Sequence, residues 1–150
     1  MPGLPLKLAR PQLLVTLLEA DRRKAAFLVH AAATLGVEVD VVAERAETAG
    51  HGPLRERFDV ACCRALASMP VLAELCLPFV RVGGRLLAMK AQVEAAGAAV
   101  SLLGGGPLVL HAAPSAGRAR GRVVEVRKLR PTPPAYPRRP GVPNRRPLGA

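Results

Sequence analysis

Apolar and polar positions along this chain fall into short blocks whose spacing switches between helix-like and strand-like. Residues 3–10 predict a short helix, with Pro2 suited to a first helical position and Pro11 ending it. The run "LLVTLLE" (13–19) is continuously apolar with a polar end, the pattern of a buried strand. Asp21 predicts an N-cap for a helix over 22–35, with Phe27, Leu28, Ala31 and Leu35 on one face and Gly36 as its stop. "VEVDVV" (37–42) alternates apolar and acidic residues, as an edge strand would.

After a Gly/Pro loop near 50–53 the pattern repeats. It predicts strand "FDVACC" (58–63), a helix from about 70 to 80, a turn at "VGG", strand "RLLAMK" (85–90) and a helix over 92–103. "GGG" at 104–106 lacks the Lys-Ser/Thr of a phosphate loop and follows a helix, so it reads as a turn. Two further strands are expected near 107–112 and 122–129. Alternating strands and helices of this length predict an α/β fold, a mainly parallel sheet with an antiparallel finish. From Arg130 the chain becomes Pro/Arg-rich and cannot donate a regular ladder, which separates a domain over 1–129 from a basic tail over 130–150.

Length and composition narrow this picture. A chain of 150 residues fits one domain able to bury roughly 70% of its unfolded surface. With no Trp, one Tyr and three Phe the core must be aliphatic and alanine-rich, and an aromatic platform for stacked bases is not expected. The net charge of +11 is uneven: residues 1–117 carry twelve Lys/Arg against ten Asp/Glu, whereas 118–150 carry ten against Glu125 alone. Such a tail suits a polyanion, and it equally suits a disordered extension kept soluble by charge.

Cys62, Cys63 and Cys76 show no C-x-x-C spacing and lie in apolar runs, as reduced, buried thiols in a cytosolic protein would. His30, His51 and His111 are far apart and form no ligand motif, so no metal site is expected. "LLVTLL" is too short for a signal and "GGGP" interrupts the long uncharged stretch 95–117, so no membrane span is expected.

Ligands of an open parallel sheet bind beyond the carboxyl ends of its strands. Glu19 falls at such an end, where a carboxylate can accept from both hydroxyls of a ribose. That logic serves NAD and S-adenosylmethionine alike, and an acid there can equally be a solvated turn. Ala46-Glu47 follows the next strand end and could meet an adenine edge; Arg64 and Lys90 end two later strands and are either anion contacts or surface ion pairs. No Ser-His-Asp set, Cys-His pair or paired carboxylates emerge, which argues against a hydrolase. A methyl transfer to a ring nitrogen needs no prior deprotonation and stays open, since positioning can supply most of its catalysis.

Taken together, "PGLPLKLARP", "VTLLEADRRKAAFL", "RAETAG", "CCRALASMPVLAELCLPFVRVGG", "LLAMK" and "TPPAYPRRPGVPNRRPL" closely resemble the bacterial small-subunit rRNA guanine-N7 methyltransferases, also known as glucose-inhibited division protein B. The resemblance implies a class I S-adenosylmethionine-dependent methyltransferase fold, Rossmann-like, acting on 16S rRNA or the small ribosomal subunit in the cytoplasm as a monomer. It makes Glu19 similar to the family's ribose acid, Ala46-Glu47 to its adenine pair and Arg64 to its cofactor-site arginine. Pro2-Gly3 resembles the end of a Gly-rich cofactor loop, with Met1 at an apolar cofactor contact. Lys90 and the tail arginines Arg138, Arg139, Arg145 and Arg146 become candidate RNA contacts.

The departure is at the front, where the family's N-terminal helical segment, first strand and "G-x-G-x-G" turn have no counterpart. The expectation is a truncated chain of impaired activity. In this fold the missing strand is central, so its loss should leave backbone groups unpaired or force the strands ending at Glu19 and Cys63 together. Two rival readings remain: a non-catalytic RNA-binding remnant that uses the tail, and a nicotinamide-dependent oxidoreductase, which explains neither "RAETAG" nor the tail.

Overall fold

Pro2 and Pro11 bracket the first helix, α1 (Gly3–Ala9), in the computed structural model, which describes residues 2–64, 67–113 and 121–149. Lys7 folds back so that Nζ donates to the carbonyls of Pro11 and Leu13, at 2.8 and 2.7 Å. The Leu13 N–H donates in turn to the Arg10 carbonyl. Both main-chain groups of Leu13 are therefore used in a turn, and the strand expected over 13–19 shrinks to β1, Thr16–Leu18. Leu14, expected inside, is 98% exposed.

Asp21 caps α2 (Arg22–Thr34) by accepting from the N–H groups of Arg23 and Lys24, as its position predicts. The buried stripe is Ala25, Leu28 and Ala32; Phe27, expected on that face, is 65% exposed and Leu35 is exposed as well. Phe27 lies about 100° round the helix from Leu28, and the alanine stripe permits a closer approach than a phenylalanine would. Gly36 follows with φ of 63°, and the Val37 N–H is spent on the Ala32 carbonyl. That capping bond delays β2 from the expected residue 37 to Asp40–Val42, which runs parallel to β1 with Leu17 opposite Val41. These elements belong to one unit, residues 1–46; residues 47–150 form a second.

The second unit runs α3 (Ala46–Ala49), β3 (Phe58–Arg64), α4 (Met69–Cys76), a 3-10 turn (Leu77–Phe79), β4 (Val80–Lys90), α5 (Gly97–Leu102), β5 (Gly105–Ala112), β6 (Arg122–Lys128) and α6 (Val142–Arg145). Its sheet has the order β3-β4-β6-β5, with β3 and β4 parallel and β6 antiparallel to both its neighbours, the finish expected from the sequence. β1 and β2 form a separate two-stranded sheet, so β1 and β3 are each edge strands of their own sheet.

"VGG" proves to be a bulge inside β4 rather than a turn: Phe58 pairs with Val80, yet two residues later Val60 pairs with Arg85. A Cβ on Gly84 would lie 2.5 Å from the Asp59 carbonyl oxygen, so the strands approach closely only because that side chain is missing. β5 likewise starts inside "GGG", two residues earlier than expected.

One sheet face carries the core. Leu86, Ala88, Val124 and Val126 pack against Met69, Leu72, Ala73 and Leu77 from α4 and its extension and Val100 and Leu103 from α5 and its end. It is aliphatic, as the scarcity of aromatics requires. Cys62 points away from it and is exposed, which corrects the expectation of three buried thiols; Cys63 and Cys76 are half-buried and all three are free. No helix among the described residues is long and apolar enough to cross a membrane.

Residues 130–149 fold against α3, α4 and the loop between α3 and β3. A proline-rich segment offers carbonyls but few N–H groups, and Arg55 supplies the missing donors. Its guanidinium bonds the carbonyls of Thr132, Pro133 and Tyr136, and His51 Nε2 donates to that of Pro137 at 2.7 Å. Glu56 accepts the Thr132 N–H. The disordered alternative for the tail is thereby set aside.

Candidate functional site

In the first unit, Gly3 opens α1 so close to β1 that an added Cβ would collide with Leu17 Cδ2. Leu17 is buried, and two residues on Glu19 leaves the carboxyl end of β1 half-buried. The Glu19 Oε1 accepts the Asp21 N–H at 2.9 Å, and the Glu19 N–H donates to the Val42 carbonyl. A turn bond and a ladder bond thus hold this carboxylate where an open parallel sheet presents its ligand-binding groups. The structure therefore packs Gly3 against Val15 and Leu17, and sets Glu19 at the carboxyl end of β1. Met1 lies outside the described residues.

Ala46, the last residue of the first unit, and Glu47, the first of the second, form the first turn of α3, and Glu47 is buried. Its Oε1 accepts the Gly141 N–H at 2.9 Å, so this acid grips the tail, a contact between residues 94 apart in sequence. Arg64 is exposed at the end of β3. Beside it, a hydrogen bond from Cys76 lowers the pKa of the Cys63 thiol against the opposing effect of burial, and the same bond, with burial, raises that of Cys76. Among the described residues no group of three or more His, Cys, Asp or Glu side chains could hold a metal ion.

Lys90 ends β4 with a side chain only 6% exposed. Its Nζ donates to the Ala67 carbonyl at 2.8 Å and to Glu94 Oε2 at 2.7 Å, and the same Glu94 oxygen accepts the Met69 N–H that opens α4. This clasp occupies residues 91–96 in an irregular loop, which is why α5 starts at Gly97 instead of residue 92. Burial pushes the Glu94 carboxyl up, but the bonds from Lys90, from its own backbone and from Met69 outweigh it, and the net shift is downward from the ordinary 4.5. A lowered carboxyl contributes stability above that ordinary value and loses it as pH falls through the folded one. Amide exchange at Met69, taken relative to its intrinsic rate, should therefore accelerate on acidification below about pH 4.5. In Glu94→Ala it should be about fivefold faster at neutral pH, the effect of losing roughly 1 kcal/mol of helix cap.

The tail arginines divide. Arg138 donates from its main-chain N, Nε and Nη2 to the Glu74 carboxylate at 2.9, 2.8 and 2.6 Å, and from Nη2 to the Arg146 carbonyl at 2.8 Å. Glu74 itself is fully buried on α4. Arg139, Arg145 and Arg146 are exposed, and a cleft of about 360 Å³ is lined by Val142, Arg145 and Arg146. Glu74, Arg55, His51 and Glu56, which hold the tail, carry no local signal of that role.

Residues 1–101 match the family model described as rRNA small subunit methyltransferase G. The chain belongs to the rRNA small subunit methyltransferase G family. Among its relatives, the ribosomal RNA small subunit methyltransferase G of Moorella thermoacetica is 46% identical over 156 residues, covering 99% of this chain and 65% of that protein. Those of Roseiflexus sp. RS-1 and Staphylococcus aureus Newman are 44% and 40% identical, over 98% of this chain in each case and 66% and 64% of theirs. The chain thus spans just under two thirds of the length of these relatives.

Solved structures support the fold. The T. thermophilus 16S rRNA N2 G1207 methyltransferase, in complex with AdoMet and guanosine, superposes with a TM-score of 0.55 at 21% identity, over 87% of this chain and 33% of that one. An rRNA methylase from Streptococcus thermophilus gives 0.52 at 18% identity, over 78% and 74%. The fold shared with these structures is α/β, of the class I methyltransferase type.

Proposed function

We propose that this chain serves the methylation of guanine N7 in 16S rRNA in the cytoplasm, with S-adenosylmethionine as donor. The observation that carries the reading is the braced Glu19 carboxylate at the carboxyl end of β1. It fits the cofactor, because a strand-end acid can accept from both hydroxyls of a ribose. When bound, the cofactor supplies an electrophilic methyl group on a sulfonium. The protein's share is to orient the ribose through Glu19, with Ala46, Glu47 and Arg64 assigned to the cofactor by family position. No side chain has to remove a proton from guanine N7, whose lone pair is free to react.

Labelled methyl transfer to small-subunit rRNA tests this. The label should appear at guanine N7, and Glu19→Ala should weaken S-adenosylmethionine binding in calorimetry by roughly 10- to 100-fold, the loss of a charged hydrogen bond worth about 1.5–3 kcal/mol. Label at another atom, or unchanged binding in Glu19→Ala, would overturn it.

The concentration of exposed arginines in the tail favours one second reading, an RNA-binding protein without catalysis. It predicts RNA binding that survives Arg64→Ala with no methyl transferred. Glu47→Ala is no clean control for it, because Glu47 also anchors Gly141.

A further inference from the structure

We propose that the cleft lined by Val142, Arg145 and Arg146 binds a phosphodiester of single-stranded RNA, and that Arg138 is the positioning residue that fixes its wall. The proposal rests on the functional reading above for its partner, RNA, and names the surface that reading leaves open.

Residues 130–150 contain five arginines and no acid. Among the described residues no carboxylate pairs with Arg145 or Arg146, although both are exposed. Two adjacent guanidinium groups repel each other, and a mobile segment would let them separate. Here the frame holds them. The Arg145 N–H donates to the Gly141 carbonyl, the Arg146 N–H to that of Val142, and the Arg146 carbonyl accepts from Arg138 Nη2. Arg138 and Gly141 are in turn gripped by two buried acids, Glu74 and Glu47. Inward arginine chemistry thus anchors the segment while the outward pair keeps its charge for a ligand.

The ligand that fits is a phosphate oxyanion. A guanidinium fork matches it in a bidentate way, and a preorganised site avoids the ordering cost of binding. Among the described residues Val142 is the one apolar wall, too little to seat the side-chain anchors of an acidic peptide. The tail's single aromatic residue, Tyr136, is half-buried, so bases find no stacking platform and the cleft reads backbone rather than sequence.

The test is fluorescence anisotropy on the full chain with a labelled single-stranded RNA of about a dozen nucleotides, between roughly 50 and 200 mM salt. Each single-strand phosphate contact contributes about 0.7 to the slope of log affinity against log salt, so Arg145→Ala with Arg146→Ala should lower the slope by about 1.4. Lysine at both positions should keep it, and Arg57→Ala, an exposed arginine outside the cleft, should leave it unchanged. An unaltered slope in the double alanine variant would overturn the site.

Arg138→Lys keeps the charge but not the forked contacts. It should weaken RNA binding about tenfold at constant slope in a protein that still folds by circular dichroism. Full affinity in that variant would remove Arg138 from the positioning role. Vesicles of equal parts phosphatidylcholine and phosphatidylglycerol, if bound more tightly than RNA through the same two arginines, would overturn RNA as the occupant. Absent methyl transfer with intact cleft-dependent binding would fail the functional reading alone; methyl transfer with an unchanged slope in the double variant would fail the cleft alone.

Discussion

Arg138→Ala is expected to destabilise the protein by about 3–5 kcal/mol in urea unfolding, a large part of a domain's usual net stability. Glu74 is 0% exposed and lies midway along α4, so its carboxylate has no route to water. Two of its three hydrogen bonds come from the Arg138 side chain, which is itself 25% exposed. Those bonds hold the guanidinium charged, raising its pKa against the effect of burial. Removing the arginine leaves a buried charge with one main-chain donor, from residue 138. Glu74→Leu should cost less, under about 2 kcal/mol, because it removes the buried charge and leaves an arginine that can reach solvent. Equal costs for the two variants, or a loss below about 1 kcal/mol in Arg138→Ala, would show that the pair does not hold the tail.

The second large effect centres on Lys128, whose side chain is 0% exposed at the end of β6. Its Nζ donates to the Leu77 carbonyl and to Thr132 Oγ1 and sits 3.3 Å from Glu56 Oε1. Burial lowers its pKa below the ordinary 10.5, with Arg55 acting the same way and Glu56 opposing. A base lowered in the folded state is released there first, while the unfolded chain still binds the proton. Stability should therefore rise with pH from the lowered value up to about 10.5. Lys128→Met should abolish that rise and, at neutral pH, cost about 1–3 kcal/mol, since the Leu77 carbonyl and Glu56 lose their donor. The difference between the two proteins' melting temperatures across this range isolates Lys128 from the cysteines and Tyr136. A parallel rise in Lys128→Met would assign the effect elsewhere.

Much of the second unit could be read from local pattern. The "FDVACC" and "RLLAMK" strands, the antiparallel finish and the aliphatic core follow from runs of apolar residues long enough to outweigh any single contact. Boundaries failed wherever one side chain captured a backbone group: Lys7 on the Leu13 carbonyl shortened β1, and Glu94 on the Met69 N–H delayed α5. Phe27 was misassigned because a helix face read from apolar character alone overlooks the narrow alanine stripe that packs more closely.

The candidate site divides in the same way. The position of Glu19 is legible, because standing after a strand and before the capping Asp21 are both local facts. The partners of Lys90 and the five-arginine tail are not. In the sequence all of these cations look alike, and which of them turns inward depends on what lies opposite once the chain has folded.

The sequence by itself therefore determined the order of elements, the Asp21 cap, the composition of the core and the family, all of which rest on neighbours or on patterns repeated along the chain. Tertiary structure alone decided that Arg138 meets a buried Glu74 64 residues away, that Glu47 grips Gly141, and that Arg145 and Arg146 face a cleft. Burial creates that distinction: a charge in water has no preferred partner, but one held inside must find the group that completes it.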